Sequence, residues 1–325
     1  MKYVAFSAFL LLAGCSRSTG AATTSAAVEE MNKADAPKLA PQGFAGDATS
    51  GAKLISIIEG VQVPSAAIAS AKSIGHTSVV FKVTLANGEV AAFKPPSKRG
   101  KNRYRGEVAA YRLAGLLGLS NVPEARLVKL NRAGLRNVID ESGRKMLDDE
   151  TSGESLVGAW IPWIKGLEFL HIDEPNSKDR EKVFKFLRNN ERTDADSESL
   201  ALQVSTMMVF DLLTANWDRF SGANIGWDAR EKRVLFVDND GGFFEPVNAK
   251  LFPRDRAELE KIRVFSKSFV IRLRGVSESE WTQALALGDE LLTPAQIKSS
   301  WDRRTLVLDH IARAEAKYSA ALVAQ

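Results

Sequence analysis

The chain has 325 residues, a single cysteine, and 44 basic against 40 acidic side chains, for a net charge of +4 at pH 7. One cysteine excludes an internal disulfide and a cysteine-built metal site, so the fold rests on its core, and the length suffices for one large domain or two lobes. The weak basic excess does not argue for nucleic acid as a partner, which would need a clustered patch or a known motif.

From the N-terminus, Lys2 precedes an apolar run from Val4 to Leu12. That run is too short to span a bilayer and has the form of a secretory signal. It ends in Leu12-Ala13-Gly14-Cys15, which resembles the lipobox of bacterial lipoproteins. The resemblance implies cleavage after residue 14 and lipidation of Cys15. Ser16 in the next position implies the outer membrane, and hence a cell-envelope location. An ordinary signal peptide cleaved nearby is the plainer reading. Removing residues 1–14 takes away Lys2 and no acid, so the net charge becomes +3. Residues 16–50 are rich in Ala, Ser, Thr, Gly and Pro and cannot bury enough surface to fold, so a tether is expected.

The folded part is expected to begin near Leu54. Thr77 to Leu85 and Glu89 to Lys94 are β-rich and flank Asn87-Gly88, a strong hairpin signal. A basic loop, Pro95 to Arg103, leads into a helix from Arg105 to Leu119 with Ala109, Leu113, Leu116 and Leu117 on one face. Ala125 to Leu130 reads as a strand, 140–154 as a polar loop, and Ser155 to Ile164 as a strand leading into a linker. Asp179 to Asn189 and Ser199 to Ala215 are helical. From about Glu258 the pattern is helical again, with a cap-like Thr293-Pro294 before the last helices.

The chemistry concentrates between Asn216 and Gly242. Two short apolar runs, from Ile225 and from Arg233 to Val237, flank a polar turn and predict a hairpin. Its open end brings Asn224 and Asp238 together, with Asp218 in the loop just before. Two carboxylates and an amide oxygen suit Mg²⁺, and phosphoryl transfer needs a carboxylate near the attacking hydroxyl. Asp and Asn are also ordinary turn residues. Upstream, Lys94 closes a strand and Glu107 opens the next helix, the order in which a phosphate-binding lysine and its partner glutamate occur. Separately, a strand-end lysine is often only solvated, and an acid in a first helical turn is favoured by the dipole.

Phe93-Lys94-Pro95, Glu107-Val108-Ala109-Ala110-Tyr111-Arg112-Leu113 and Val122-Pro123 resemble the small lobe of the secretory-pathway atypical kinases, the family-with-sequence-similarity-20 and four-jointed proteins. Phe210-Asp211, Leu213, Asn216 and Asp218-Arg219 resemble their catalytic loop, and Phe236-Val237-Asp238-Asn239 their metal-binding segment. HipA-like and phosphatidylinositol 3/4-kinase-like proteins share the wider fold. The resemblance covers roughly Lys82 to Phe243. It implies an α+β, two-lobed, protein-kinase-like fold, with a β-rich small lobe at 51–155 and a mainly helical large lobe at 156–325. It implies ATP with Mg²⁺ or Mn²⁺, and transfer of the γ-phosphate to a hydroxyl of a protein or glycan. Lys94 would hold the α/β-phosphates, with Glu107 orienting it or helping to bind metal. Asp218 would be the catalytic base, Asn224 and Asp238 metal ligands, and Asp211 and Asn216 braces. Three features depart from the family pattern. Phe220 stands where His often follows the Asp-Arg pair. Asn224 lies six residues after Asp218 rather than the five of protein kinases. The disulfides of the eukaryotic secreted members are missing.

Weaker features complete the reading. Gly75, Thr77 and Ser78 stand where a phosphate-covering loop would be, although a turn explains them equally. Lys98, Arg99, Lys101, Arg103 and Arg105 could recruit an acidic substrate or steer nucleotide, but a solvated loop is the plainer reading. Trp160 and Trp163 could flank an adenine, or belong to the core. His76, His171 and His310 show no zinc spacing, and Met207-Met208 fit a core. Two further readings stay open. A metal-dependent phosphohydrolase would have no need of Lys94 with Glu107, and a non-catalytic scaffold lipoprotein would have no need of Asp218 and Asp238.

Overall fold

A computed structural model describes residues 61–63, 67–75, 78–172, 174, 176–222, 224–286, 291–318 and 322–323. The signal, Cys15 and the tether lie outside the described residues, as does Thr77. Among the described residues no helix is long and apolar enough to cross a membrane.

The small lobe is a six-stranded sheet. Its strands are β1 (Val61–Val63), β2 (Ile68–Ser73), β3 (Phe81–Leu85), β4 (Val90–Lys94), β5 (Arg126–Asn131) and β6 (Ser155–Pro162), in the order β1-β5-β6-β4-β3-β2. All neighbours are antiparallel except β1 and β5. The Asn-Gly turn joins β3 to β4: Gly88 takes φ +83, and Glu89 N–H donates to Asn87 Oδ1 at 3.0 Å. β6 pairs with both β4 and β5, so the strand expected from Ser155 is an inner strand of this sheet. The small lobe therefore runs through Pro162, past the division drawn after residue 155.

Strand alternation gives the sheet two faces. Phe81, Val83, Phe93, Val128, Leu130, Leu156 and Trp160 share one apolar cluster with Leu135, Ile139 and Leu147. The covering side chains come from α2 (Arg132–Val138), α3 (Glu141–Glu150) and Ile139 between them. α3 replaces the polar loop expected at 140–154. Asp140 caps it, accepting from Gly143 N–H at 2.9 Å, and only Gly143 and Leu147 are buried. The opposite face carries Leu127, Ala159 and Lys94. It meets the helix α1 (Tyr104–Leu116).

The larger, helical part contains α4 (Lys178–Asn189), α5 (Ala195–Thr214), α6 (Leu251–Leu259), α7 (Lys267–Gly275), α8 (Glu278–Ala286) and α9 (Pro294–Lys317). A three-stranded sheet, ordered β7 (Glu168–Phe169), β8 (Ile225–Asp228), β9 (Arg233–Phe236), lies among them. Asp194 caps α5 at its start, and Ala215 in the left-handed region, φ 52, turns the chain out of its end. Thr293 and Gln296 form a full capping box on α9, with Pro294 as its first helical residue. One apolar core includes Val108, Ala109 and Leu113 of α1 together with Val209, Leu213, Trp281, Leu285 and Val307. Thus α1 belongs to the main core although its chain leaves the small sheet.

Candidate active site

Three segments meet where α1 faces the end of the β8–β9 hairpin. β4 ends in Lys94 because strand alternation turns Phe93 into the apolar cluster and Lys94 the other way. α1 presents Glu107 from its first turn. The hairpin register Ile225↔Phe236 sets Asn224 and Asp238 at its open end, as its length predicts. After Asp238, which adopts φ 56, the chain makes a short 3₁₀ turn, Asn239–Gly241. Gly241 is needed for close approach and not for an unusual φ: a Cβ there would sit 2.7 Å from Asn216 Oδ1 and 2.9 Å from Asp218 Cβ.

Lys94 Nζ lies 2.5 Å from Glu107 Oε1, 2.6 Å from Asp238 Oδ1 and 3.4 Å from Asp240 Oδ2. Burial works against its charge, but Asp238, Asp240 and Glu107 outweigh it and hold the ammonium well above the ordinary lysine range. Burial likewise works against ionised Asp238, yet Lys94, Arg103 and Arg219 keep it below the usual aspartate range. Glu107 Oε2 also accepts from Asn239 N–H at 3.1 Å, which ties α1 to the turn. Of this cluster Asp238 is the open member, with 39% of its side chain exposed, against 4% and 5% for Glu107 and Asp240.

Asp218 stands apart from that cluster and is partly exposed. Its carbonyl accepts from Asn224 Nδ2 at 2.8 Å and Ser221 Oγ at 2.7 Å, and its N–H donates to Asn216 Oδ1 at 3.2 Å. These bonds fix the loop and leave the carboxylate aimed elsewhere. Burial, then Asp238 and Asp240, push its pKa above the ordinary aspartate range.

Arg219 is the brace beneath. Its five donors go to Asp211, Asn224 O, Val237 O and Asn239 Oδ1, joining the end of α5, the loop and the 238–241 segment. Burial raises Asp211 to about 6 despite Arg219.

Glu107, Asp238 and Asp240 offer one carboxylate oxygen each within 4.8 Å of one another. Such hard oxygens fit Mg²⁺ or Mn²⁺. The three carboxylates outnumber the contacting cations, Lys94 and Arg103, which favours a further cation there. Asn224 commits its amide nitrogen to the loop, so its Oδ1 is the atom left to offer an ion.

The sequence missed Asp240 and Arg103. The run Asp238-Asn239-Asp240 before two glycines was the available signal for Asp240, two acids spaced across one tight turn. Trp160 is not at the site. It pairs with Phe93, while its neighbour Ala159 pairs with Lys94. It therefore faces the opposite side of the sheet, is 0% exposed, and donates Nε1–H to Glu89 Oε1 at 2.9 Å. An adenine contact from Trp160 is excluded by this placement, and the core reading holds. Gly75 serves the tip between β2 and β3, which Ile74 N–H closes onto Val80 O at 3.0 Å. A Cβ on Gly75 would sit 2.0 Å from Ser78 O. Among the described residues no hydrogen bond links Gly75 or Ser78 to the Lys94 cluster.

A small, mostly antiparallel sheet ending in Lys94, with Glu107 on the helix packed against it and a helical part carrying Asp218 and Asp238, has the fold of the atypical kinases. Solved structures agree. The Golgi casein kinase with Mn/ADP bound superposes with a TM-score of 0.61, at 14% identity over 83% of this chain and 78% of that one. The hydra Fam20 structure with sugar gives 0.59, at 17% identity over 80% and 89%. The profile of the four-jointed box protein middle domain matches residues 82–288, more than half of the chain, and the chain belongs to that family. Four-jointed box protein 1 of Xiphophorus maculatus is 27% identical over 157 residues, which are 43% of this chain and 36% of that protein. The chain thus aligns with only about a third of the length of this relative.

Proposed function

We propose that the protein is a kinase that transfers the γ-phosphate of ATP to a hydroxyl on a protein or glycan, with Mg²⁺ or Mn²⁺ as cofactor. The observation that carries this reading is the convergence of Lys94, Glu107, Asp238 and Asp240 from two lobes, with Asp218 open beside them. Lys94 would bind nucleotide phosphates and Glu107 would orient it. Asp218, fixed by its backbone and raised in pKa, would receive the acceptor's proton. Glu107, Asp238 and Asp240, with Asn224 adjoining, would hold the ion, which supplies charge neutralisation to the phosphates. The Mn/ADP-bound relative of this fold supports a nucleotide and a divalent ion. A hydrolase would not need the buried Lys94–Glu107 pair. We also propose that Cys15 is lipidated and tethers the domain to the cell envelope, with the outer membrane as its site.

The test is a thermal-shift scan with ATP, ADP and GTP, each with Mg²⁺, Mn²⁺ or EDTA. A ligand at 100 times its Kd adds about 2.7 kcal/mol. A metal-dependent shift that disappears in Asp238→Ala is expected, and no shift with any nucleotide would defeat the proposal. Asp218→Ala should bind nucleotide normally and lose turnover by about 10²–10⁴-fold, the usual contribution of a general base.

A further inference from the structure

Arg103 immediately precedes α1 and belongs, by sequence, to the basic loop at 95–103. In the structure its guanidinium leaves that loop and enters the site. Nη2 lies 2.5 Å from Asp240 Oδ1, and Nε donates to Asp240 O at 3.2 Å. The same Nη2 is 4.0 Å from Asp218 Oδ2, and among the described residues no other cation comes that close to Asp218. Trp217 and Phe244 flank it, with ring centroids 5.6 and 5.9 Å from Cζ, within cation–π reach. Among the described residues Nη1 has no hydrogen-bond partner, and the side chain is 24% exposed.

The other two cations of the site are spoken for. Arg219 uses all five donors in the brace. Lys94, held by Glu107, Asp238 and Asp240, is taken by the nucleotide phosphates in the reading above. Among the described residues Arg103 alone combines proximity to Asp218, a guanidinium plane flanked by rings, and three N–H bonds without a hydrogen-bond partner, two of them on Nη1.

We propose that Arg103 is a catalytic residue that holds the transferred phosphoryl group through Nη1. This rests on the phosphotransferase reading above. In that reaction the acceptor oxygen forms a bond to the γ-phosphorus. The bond from that phosphorus to the β,γ-bridging oxygen breaks, and its electron pair stays on ADP. The acceptor proton passes to the Asp218 carboxylate. The non-bridging oxygens of the moving group carry the charge. That group must pass beside the oxygen whose proton Asp218 takes, and so within reach of the guanidinium. A planar fork suits two such oxygens, whereas a lysine offers a point charge. Arg103 leads into α1, which packs in the main core, so its guanidinium is held in position beside Asp218.

The experiment is calorimetry on the full chain with Mn²⁺, comparing ADP alone with ADP plus aluminium fluoride, which mimics the moving phosphoryl group. Arg103→Ala should keep ADP affinity within about twofold and lose 100-fold or more in affinity for the fluoride complex. The comparison is with effects of about 10³–10⁵ on kcat for arginines in this role. Arg103→Lys should recover only part of that loss, and guanidinium added to Arg103→Ala should recover more. If Arg103→Ala binds the fluoride complex as tightly as the parent, the role is wrong and the kinase reading stands. If it loses ADP and fluoride complex equally, Arg103 only ties the lobes together, and the proposal fails. Should Arg103→Ala not fold, Arg103→Lys decides: parental affinity for the fluoride complex overturns the proposal, and selective loss supports it. If the parent itself binds no nucleotide, the kinase reading falls and this role with it.

Discussion

Arg219 Nε lies 3.0 Å from Asp211 Oδ2, and both side chains are almost wholly buried, at 1% and 7% exposure. The pair joins the last turns of α5 to the segment that carries Asp238. Breaking a buried pair by removing one partner costs about 3–5 kcal/mol, because the other charge stays uncompensated. Arg219→Met should therefore lower unfolding free energy by about that much, read from urea denaturation. A loss below about 1 kcal/mol would mean that solvent or neighbours can replace the brace.

Asp211 also predicts a pH dependence. Its folded pKa is raised to about 6 from 3.8. Between these values the folded protein keeps a proton that the unfolded chain releases. Its contribution to stability is therefore complete below about 4 and lost as pH rises through about 6. Asp211→Asn cannot titrate, so the stability of the parent relative to this variant should fall across that window and level off above it. A difference that stays flat from pH 4 to 7 would contradict the raised pKa.

The ion site gives a ranking. Asp240→Asn removes a carboxylate from the converging three, whereas Asn224→Ala removes a support of the Asp218 loop. Manganese titration should show a larger loss of affinity, tenfold or more, in Asp240→Asn than in Asn224→Ala. The reverse order would return Asn224 to the position of principal ligand.

Trp160→Phe separates core from cleft. It loses the bond to Glu89, worth about 1 kcal/mol, and some packing. Stability should drop while Mn-ADP affinity stays within about twofold. A selective loss of nucleotide affinity would place Trp160 back at the cleft.

Much of this was legible in the chain. The Asn-Gly turn, the hairpin that joins Asn224 to Asp238, and the order Lys94, Glu107, Asp218 all depend on local signals, and the structure assembles them. What escaped depends on register or tertiary approach. Trp160 and Trp163 looked equivalent until the pairing Phe93↔Trp160 fixed the face. Arg103 looked like one more cation in a solvated run, because nothing local announces that its guanidinium crosses to Asp240. α3 was hidden by a polar sequence with Gly143 in its first turn, where a single capping aspartate and one buried leucine suffice.

In kinases the helix that bears the partner glutamate is often the moving part, and swinging it away breaks the Lys–Glu pair. Here α1 is built into the main core through Val108, Ala109, Ala110 and Leu113, and Arg112 Nε fastens it to Ala284 O at 2.5 Å. Swinging it out would tear the largest apolar cluster of the molecule. Packing thus anchors Glu107 beside Lys94. Displacing this helix would break the core that holds it, so control by helix displacement does not suit this architecture.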